Sequence, residues 1–125
     1  NSQITEDSIK KIGPTLILDH GTSLVQENII DLASYSLNLH WGISPYYRGS
    51  YCTEHALFNW DIKNIGVTVH KLSKKIDGGD ILGQARVKIK PDDNLITITA
   101  QLTYLGTEII KKAIDFISNL LHPEC

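Results

Sequence analysis

Pro14-Thr-Leu-Ile-Leu-Asp-His-Gly21, Thr22-Ser-Leu-Val-Gln-Glu-Asn-Ile-Ile-Asp-Leu32 and Tyr35-Ser-Leu-Asn-Leu39 follow one another almost without spacer. The change of hydrophobic period between them decides the fold class. Thr15 to Asp19 is a short β-favouring run that reads as a buried strand, ended by Gly21. Thr22 or Ser23 is placed to cap a helix in which Leu24, Val25, Ile29, Ile30 and Leu32 share one face. Tyr35 to Leu39 is then a second strand. Strand, helix, strand in this order implies an α/β sheet with crossover connections, a mostly parallel sheet flanked by helices.

The flanks extend this pattern. Glu6 to Ile12 reads as a short helical turn before Pro14. Beyond the loop from His40 to Gly49, Ser50 is placed to cap a helix with Cys52, Ala56, Leu57 and Trp60 on one side and Glu54 in its first turn, where a negative charge suits the helix dipole. Ile65 to Leu72 alternates Val67 and Val69 with Thr68 and His70, the period of two of a strand whose faces differ. Ile76 to Gly79 is a turn, Ile81 to Ile89 is extended, and Asp92 or Asp93 opens a last helix to about Leu121. No repeat or linker interrupts the chain, so residues 1–125 read as one domain.

Composition narrows the function. With 42% hydrophobic and 21% charged residues the chain is globular in character. Its apolar runs fall well short of the ~20 residues that a membrane helix needs. The polar first residues do not resemble a signal peptide, and a cytoplasmic location without membrane contact is expected. A formal charge of −2 gives no basic surface for a nucleic-acid backbone, which leaves small-molecule substrates. The two cysteines, Cys52 and Cys125, match neither a disulfide framework nor metal-ligand spacing, and Cys52 reads as a small buried hydrophobe. No metal is expected. The chain starts at Asn1 and contains no methionine, which reads as a piece of a longer protein.

Reactive residues in open α/β sheets gather beyond the carboxyl ends of strands. Asn38 and His40 lie at such an end, two apart and so able to face one side; Asp77 lies in a glycine-flanked turn after the next long strand. An amide donor, an imidazole and a carboxylate together suit attack on a carbonyl. The first two can stabilise a developing oxyanion, while the carboxylate orients the imidazole or receives a proton through water. Taken singly, each also has a structural reading as a strand-end or turn residue.

The stretch Asn38-Leu-His-Trp-Gly-Ile-Ser-Pro-Tyr-Tyr-Arg-Gly49, followed by Gly66-Val-Thr-Val-His70 and Asp77-Gly-Gly-Asp-Ile81, resembles the signature of the formyltransferase family. That family includes glycinamide ribonucleotide, methionyl-tRNA and sugar N-formyltransferases and 10-formyltetrahydrofolate hydrolase. The resemblance spans roughly residues 14 to 118. It implies a partial Rossmann-like catalytic domain, 10-formyltetrahydrofolate as formyl donor, and Asn38, His40 and Asp77 as the catalytic set. It further implies a pterin pocket lined by Ser23, Leu24, Val25, Ile76 and Asp77. Tyr47 and Arg48 would shape the loop after His40, and His70 would support the site rather than move protons. The sequence departs from the family in carrying Trp41-Gly42 and Ser44-Pro45, and in lacking the βα units that usually precede the strand at Thr15 to Asp19. The sheet edge thereby left open would need covering, by a partner chain, such as a second copy in a homo-oligomer, or by unusual packing. A small amine, such as an amino sugar linked to a nucleotide, is the acceptor expected. Hydrolysis of the donor and a non-catalytic folate-binding remnant are the alternatives.

Overall fold

The computed structural model describes residues 2–123. Cys125 lies outside them. The elements are α1 (Ser2–Ile12), β1 (Leu16–Asp19), α2 (Glu27–Ile30), β2 (Tyr35–His40), α3 (Cys52–Phe58), a 3-10 turn (Ile62–Asn64), β3 (Gly66–Lys71), β4 (Ile81–Arg86) and α4 (Leu95–Leu121). One sheet in the order β1-β2-β3-β4 holds the three expected strands together with β4. It is a partial α/β sheet backed by α4.

The expectation of a mostly parallel sheet is corrected. Only β1 and β2 run parallel, with Leu16 opposite Tyr35 and Asp19 opposite Asn38. β2 pairs antiparallel with β3, His40 facing Thr68, and β3 pairs antiparallel with β4. The chain leaves β2 at His40 and, after α3 and the 3-10 turn, re-enters the sheet at that same end, so β3 runs back alongside β2. β4 follows after the short segment 72–80, which also turns the chain back.

Three helix starts differ from expectation. Gly21 has φ +69, and the Thr22 hydroxyl lies 2.6 Å from Asp19 Oδ1 and 2.9 Å from the Ser23 carbonyl, so it caps nothing. Residues 21–26 form a loop, and the helix shrinks to Glu27–Ile30 behind Gln26. α3 starts behind Tyr51 rather than Ser50, with Tyr51 in the left-handed region at φ 57. α4 starts behind Asn94 instead of Asp92 or Asp93. The Asn94 side chain accepts from the backbone N–H of Ile96 and Thr97, and Thr97 reciprocates in a capping box. α1 is longer than the single turn foreseen.

The core lies between the sheet and α4. Ile98, Leu102, Gly106, Ala113 and Ile117 are the buried positions of α4, spaced so that they form one stripe. Leu102 and Ile98 pack with Ile65 and Val67, and Ala113 and Ile117 with Leu37 and Val69. Gly106 lies close to β2: a Cβ there would stand 2.9 Å from Leu39 Cδ2, so that side chain would have to shift. With this face filled by helix, the polar ends of β2 and β3 are left to the opposite layer of loops. Among the described residues no helix is long and apolar enough to cross a membrane.

Candidate active site

β2 delivers Asn38 and His40, and its antiparallel neighbour places His70 directly opposite Asn38. The turn after β3 brings Asp77 back over both. Asp77 adopts φ 46, a left-handed conformation that aspartate tolerates better than most residues. Its carboxylate gathers the site. Oδ1 accepts from Asn38 Nδ2 at 3.1 Å and lies 3.3 Å from His70 Nε2; Oδ2 accepts from the Gly49 N–H at 2.7 Å and lies 3.3 Å from His40 Nδ1. Of the sequence-derived trio, Asp77 thus touches both Asn38 and His40.

The ring nitrogens of both histidines are committed. His40 Nε2 lies 3.0 Å from the Tyr47 carbonyl and 3.5 Å from Cys52 Sγ. His70 Nδ1 lies 2.8 Å from the Lys71 carbonyl, which can only accept, so that nitrogen carries a proton. His70 Nε2 faces Asp77 and also lies 3.2 Å from Asn38 Nδ2.

Protonation follows from these contacts. Burial pulls the His40 pKa down and outweighs the Tyr47 carbonyl and the Asp77 charge, which pull it up. Asp77 does favour the His40 cation, as the sequence suggested, but does not win. Burial is the largest single influence on His70 too, yet its hydrogen bond to Asp77, the Lys71 carbonyl and the Asp77 charge together raise its pKa. For Asp77, burial favours the neutral acid. The His70 bond, the Gly49 N–H and the two histidine charges still lower its pKa overall. Burial also pushes the Cys52 thiol up to about 11, which suits the inert buried cysteine expected from sequence.

These groups open onto a cavity of about 470 Å³, within the usual range for small-molecule sites. Ser23, Leu24, Val25, Ile76 and Asp77 line it, so the segments expected to bind the cofactor meet the catalytic candidates in one place. Tyr47 and Arg48 act on the cluster from the loop. Tyr47 offers its carbonyl to His40 and its hydroxyl to Asp61 at 3.1 Å, while the Arg48 charge disfavours the His70 cation. Among the described residues no group of three or more His, Cys, Asp or Glu side chains is arranged to hold a metal ion.

Residues 4–114 match the family model described as formyl transferase. The chain belongs to that family. It is similar to the methionyl-tRNA formyltransferase of Lactobacillus acidophilus, 37% identical over 82 residues that make up 66% of this chain and 26% of the relative. It therefore spans about a quarter of that relative's length. Among solved structures, the phosphoribosylglycinamide formyltransferase of Anaplasma phagocytophilum superposes with a TM-score of 0.83 at 19% identity, covering 95% of this chain and 58% of that one. The formyltransferase PseJ of Anoxybacillus kamchatkensis, solved with UDP-4,6-dideoxy-4-formamido-L-AltNAc and tetrahydrofolate, gives a TM-score of 0.74 at 22% identity over 83% of this chain and 55% of that one. At these identities the two structures speak for the fold.

Within this formyl transferase fold the sequence left three contributors unassigned. The Gly49 N–H on Asp77 is a backbone group and carries no side-chain signal. Gly42 leaves room for the His40 ring: a Cβ there would run into His40 Nε2 and stand 3.0 Å from Cys52 Sγ. Its sequence signal was visible as a departure from the family pattern. His20 lines the cavity too, and only the fold shows this.

Proposed function

We propose that this domain takes part in moving a formyl group from 10-formyltetrahydrofolate to the amine of a small-molecule acceptor. The convergence of Asn38, His40 and Asp77 on a cavity walled by Ser23, Leu24, Val25 and Ile76 carries the reading. Leu24 and Ile76 offer an apolar surface to a flat pterin, and the polar floor meets the formyl carbon. The folate supplies the formyl carbon and a leaving nitrogen.

The chain's own residues do the rest. As the acceptor nitrogen bonds to the formyl carbon, Asn38 turns an amide N–H from Asp77 to the oxygen that gains charge. His40, its Nδ1 held by Asp77, donates to the same oxygen through Nε2, whose N–H turns from the Tyr47 carbonyl to do so. Asp77 stays ionised and offsets the histidine charges. Collapse restores the carbonyl and breaks the bond to the folate nitrogen. That nitrogen gains the proton which the acceptor gives up.

A nucleotide-linked amino sugar is the acceptor class to test first, since the formal charge of −2 supplies no basic face for an RNA backbone. The test incubates the full natural chain with 10-formyltetrahydrofolate alone, with amino sugar nucleotides, and with methionyl-tRNA. Sugar-dependent turnover supports the reading. Turnover without any amine makes it a hydrolase, dependence on methionyl-tRNA overturns the acceptor class, and folate binding without turnover leaves a binding remnant.

A further inference from the structure

Between β4 and the flank of α4 beside it runs a groove of about 580 Å³, with Val69 and Ala113 at its floor and Leu82, Leu105, Ile109 and Phe116 in its walls. On the same helix Tyr104 and Phe116 stand 66% and 59% exposed. The order of side chains there is informative. Tyr104, Glu108, Lys112 and Phe116 follow at intervals of four, so they form one ridge along α4, about 18 Å from end to end, and all four are exposed. The ridge reads aromatic, acid, base, aromatic. Turned about a two-fold axis midway between Glu108 and Lys112, it sets acid against base twice and aromatic against aromatic twice, which is the self-complementarity that an isologous interface needs. Neither charge is used within the chain. Glu108 and Lys112 have the spacing of a helical ion pair, yet among the described residues neither makes one. The ridge next to it, Thr103, Thr107, Lys111 and Asp115, lacks both aromatics and symmetry, and its threonine hydroxyls bond carbonyls of their own helix.

We propose that this flank joins two copies of the chain as an antiparallel α4–α4 pair, Glu108 of each copy pairing with the partner's Lys112 and Tyr104 of each lying against the partner's Phe116. Ridges of this kind interlock at about −50°, the commonest helix crossing. The aromatic pairs supply the apolar contact and close over the groove beside β4, while the charges fix the register and exclude a parallel arrangement. The cavity stays open in both copies. Leu37 and Leu39 face α4, so Asn38 and His40, each one position on, face the other side of the sheet. The interface is thus independent of the formyl-transfer reading.

Sedimentation of the full natural chain over a micromolar concentration series tests this, with a monomer–dimer equilibrium expected. Glu108→Lys opposes two lysines at each of the two symmetry-related contacts and should weaken the dimer by at least about tenfold; Lys112→Glu opposes two carboxylates and should do the same. Exchanging both charges in one chain, Glu108→Lys with Lys112→Glu, recreates the pairs in reverse and should restore association. Mixing the two single variants should restore it too, as a heterodimer. Tyr104→Ala and Phe116→Ala should each weaken the dimer, with denaturation midpoints near wild type because these side chains are exposed. A chain that stays monomeric throughout overturns the proposal, whatever else covers the flank. So does a dimer that the single charge changes leave intact, or one that they weaken but the exchange does not restore.

Discussion

The two walls of the cavity are built in opposite ways. On the β2–β3 side, Asn38, His40, His70 and Asp77 are joined through one carboxylate, and His70 is only 2% exposed. On the other side, residues 21–26 have no regular structure, and Leu24 is 58% exposed. Under the proposed function the β2–β3 side is a chemical wall already tied together, while the loop side is a binding wall that would meet its ligand from an exposed segment. Preorganised polar groups stabilise developing charge with little further reorganisation. A loop is where affinity changes without disturbing the fold. Substitutions on the two walls should therefore separate rate from affinity.

The largest effect is expected at the shared carboxylate. Asp77→Asn keeps the shape but removes the charge facing both histidines, and should lower turnover by at least about 10²–10³-fold in the active full chain. Asn38→Ala should cost about the same, the loss usual for one oxyanion donor. Because both bear on one cluster, the double variant should fall short of the product of the single losses. Multiplicative kinetics would mean that the chemical wall does not act as a unit.

Gly42 tests whether the His40 position matters apart from its charge. A methyl group there meets His40 Nε2 and the Cys52 side chain. Such overpacking costs about 1–3 kcal/mol. Gly42→Ala should lower the denaturation midpoint accordingly and shift the His40 ring resonances. Cys52→Ala in the same chain should recover part of both by making room. Stability unchanged by Gly42→Ala would show that the ring is free to move.

How much of this was legible in sequence depends on the range of the interaction. The strands and α4 follow from local patterns: β-branched alternation at Val67 and Val69, and the repeat of Ile98, Leu102 and Gly106. The convergence of Asn38 with His40 followed from strand alternation and that of Asp77 from the family signature, and the structure brings all three together. The strand directions were not legible, since residues 41–65 are long enough to return the chain to the sheet in either sense. Nor was the loss of helix at residues 21–26, where Thr22 bonds Asp19 instead of a helical N–H. His20 needs the carbonyl of Leu39, nineteen residues away, to define its tautomer. No local pattern records that.

A smaller effect separates the two histidines of the chemical wall. The His70 pKa is raised, so its stabilising contribution is complete below the unfolded value of about 6.5 and is lost as pH rises through the raised native value. The His40 pKa is lowered, so the native state prefers its neutral ring. That contribution is present above about 6.5 and is lost as pH falls toward the lower native value. The two oppose each other near neutrality. Relative to wild type, His70→Asn should make stability rise more steeply with pH through this window, and His40→Asn should make it fall. Denaturant midpoints measured across the window check this. Slope changes of the same sign would show that the shared Asp77 does not divide its influence as the geometry indicates.

The smallest effect on the fold, and the sharpest test of the contrast, is expected at Leu24. It lines the cavity from an exposed loop, so truncation removes little buried surface; Leu24→Ala should change stability by no more than about 0.5 kcal/mol. If the loop closes the apolar side of a folate site, the same truncation removes area that only the ligand covers. Complete burial of such a side chain is worth about 1.5–3 kcal/mol, and partial covering should weaken a non-reactive folate analogue by roughly tenfold. Leu24→Asp, which sets a charge in that contact, should weaken it further while the denaturation midpoint stays near that of wild type. Asp77→Asn provides the counterpart, with a large loss of turnover and a smaller loss of analogue affinity. Calorimetry and denaturation on the same samples decide the matter. Analogue affinity indifferent to both Leu24 substitutions would remove residues 23–25 from the binding wall and leave the cavity with a chemical side only.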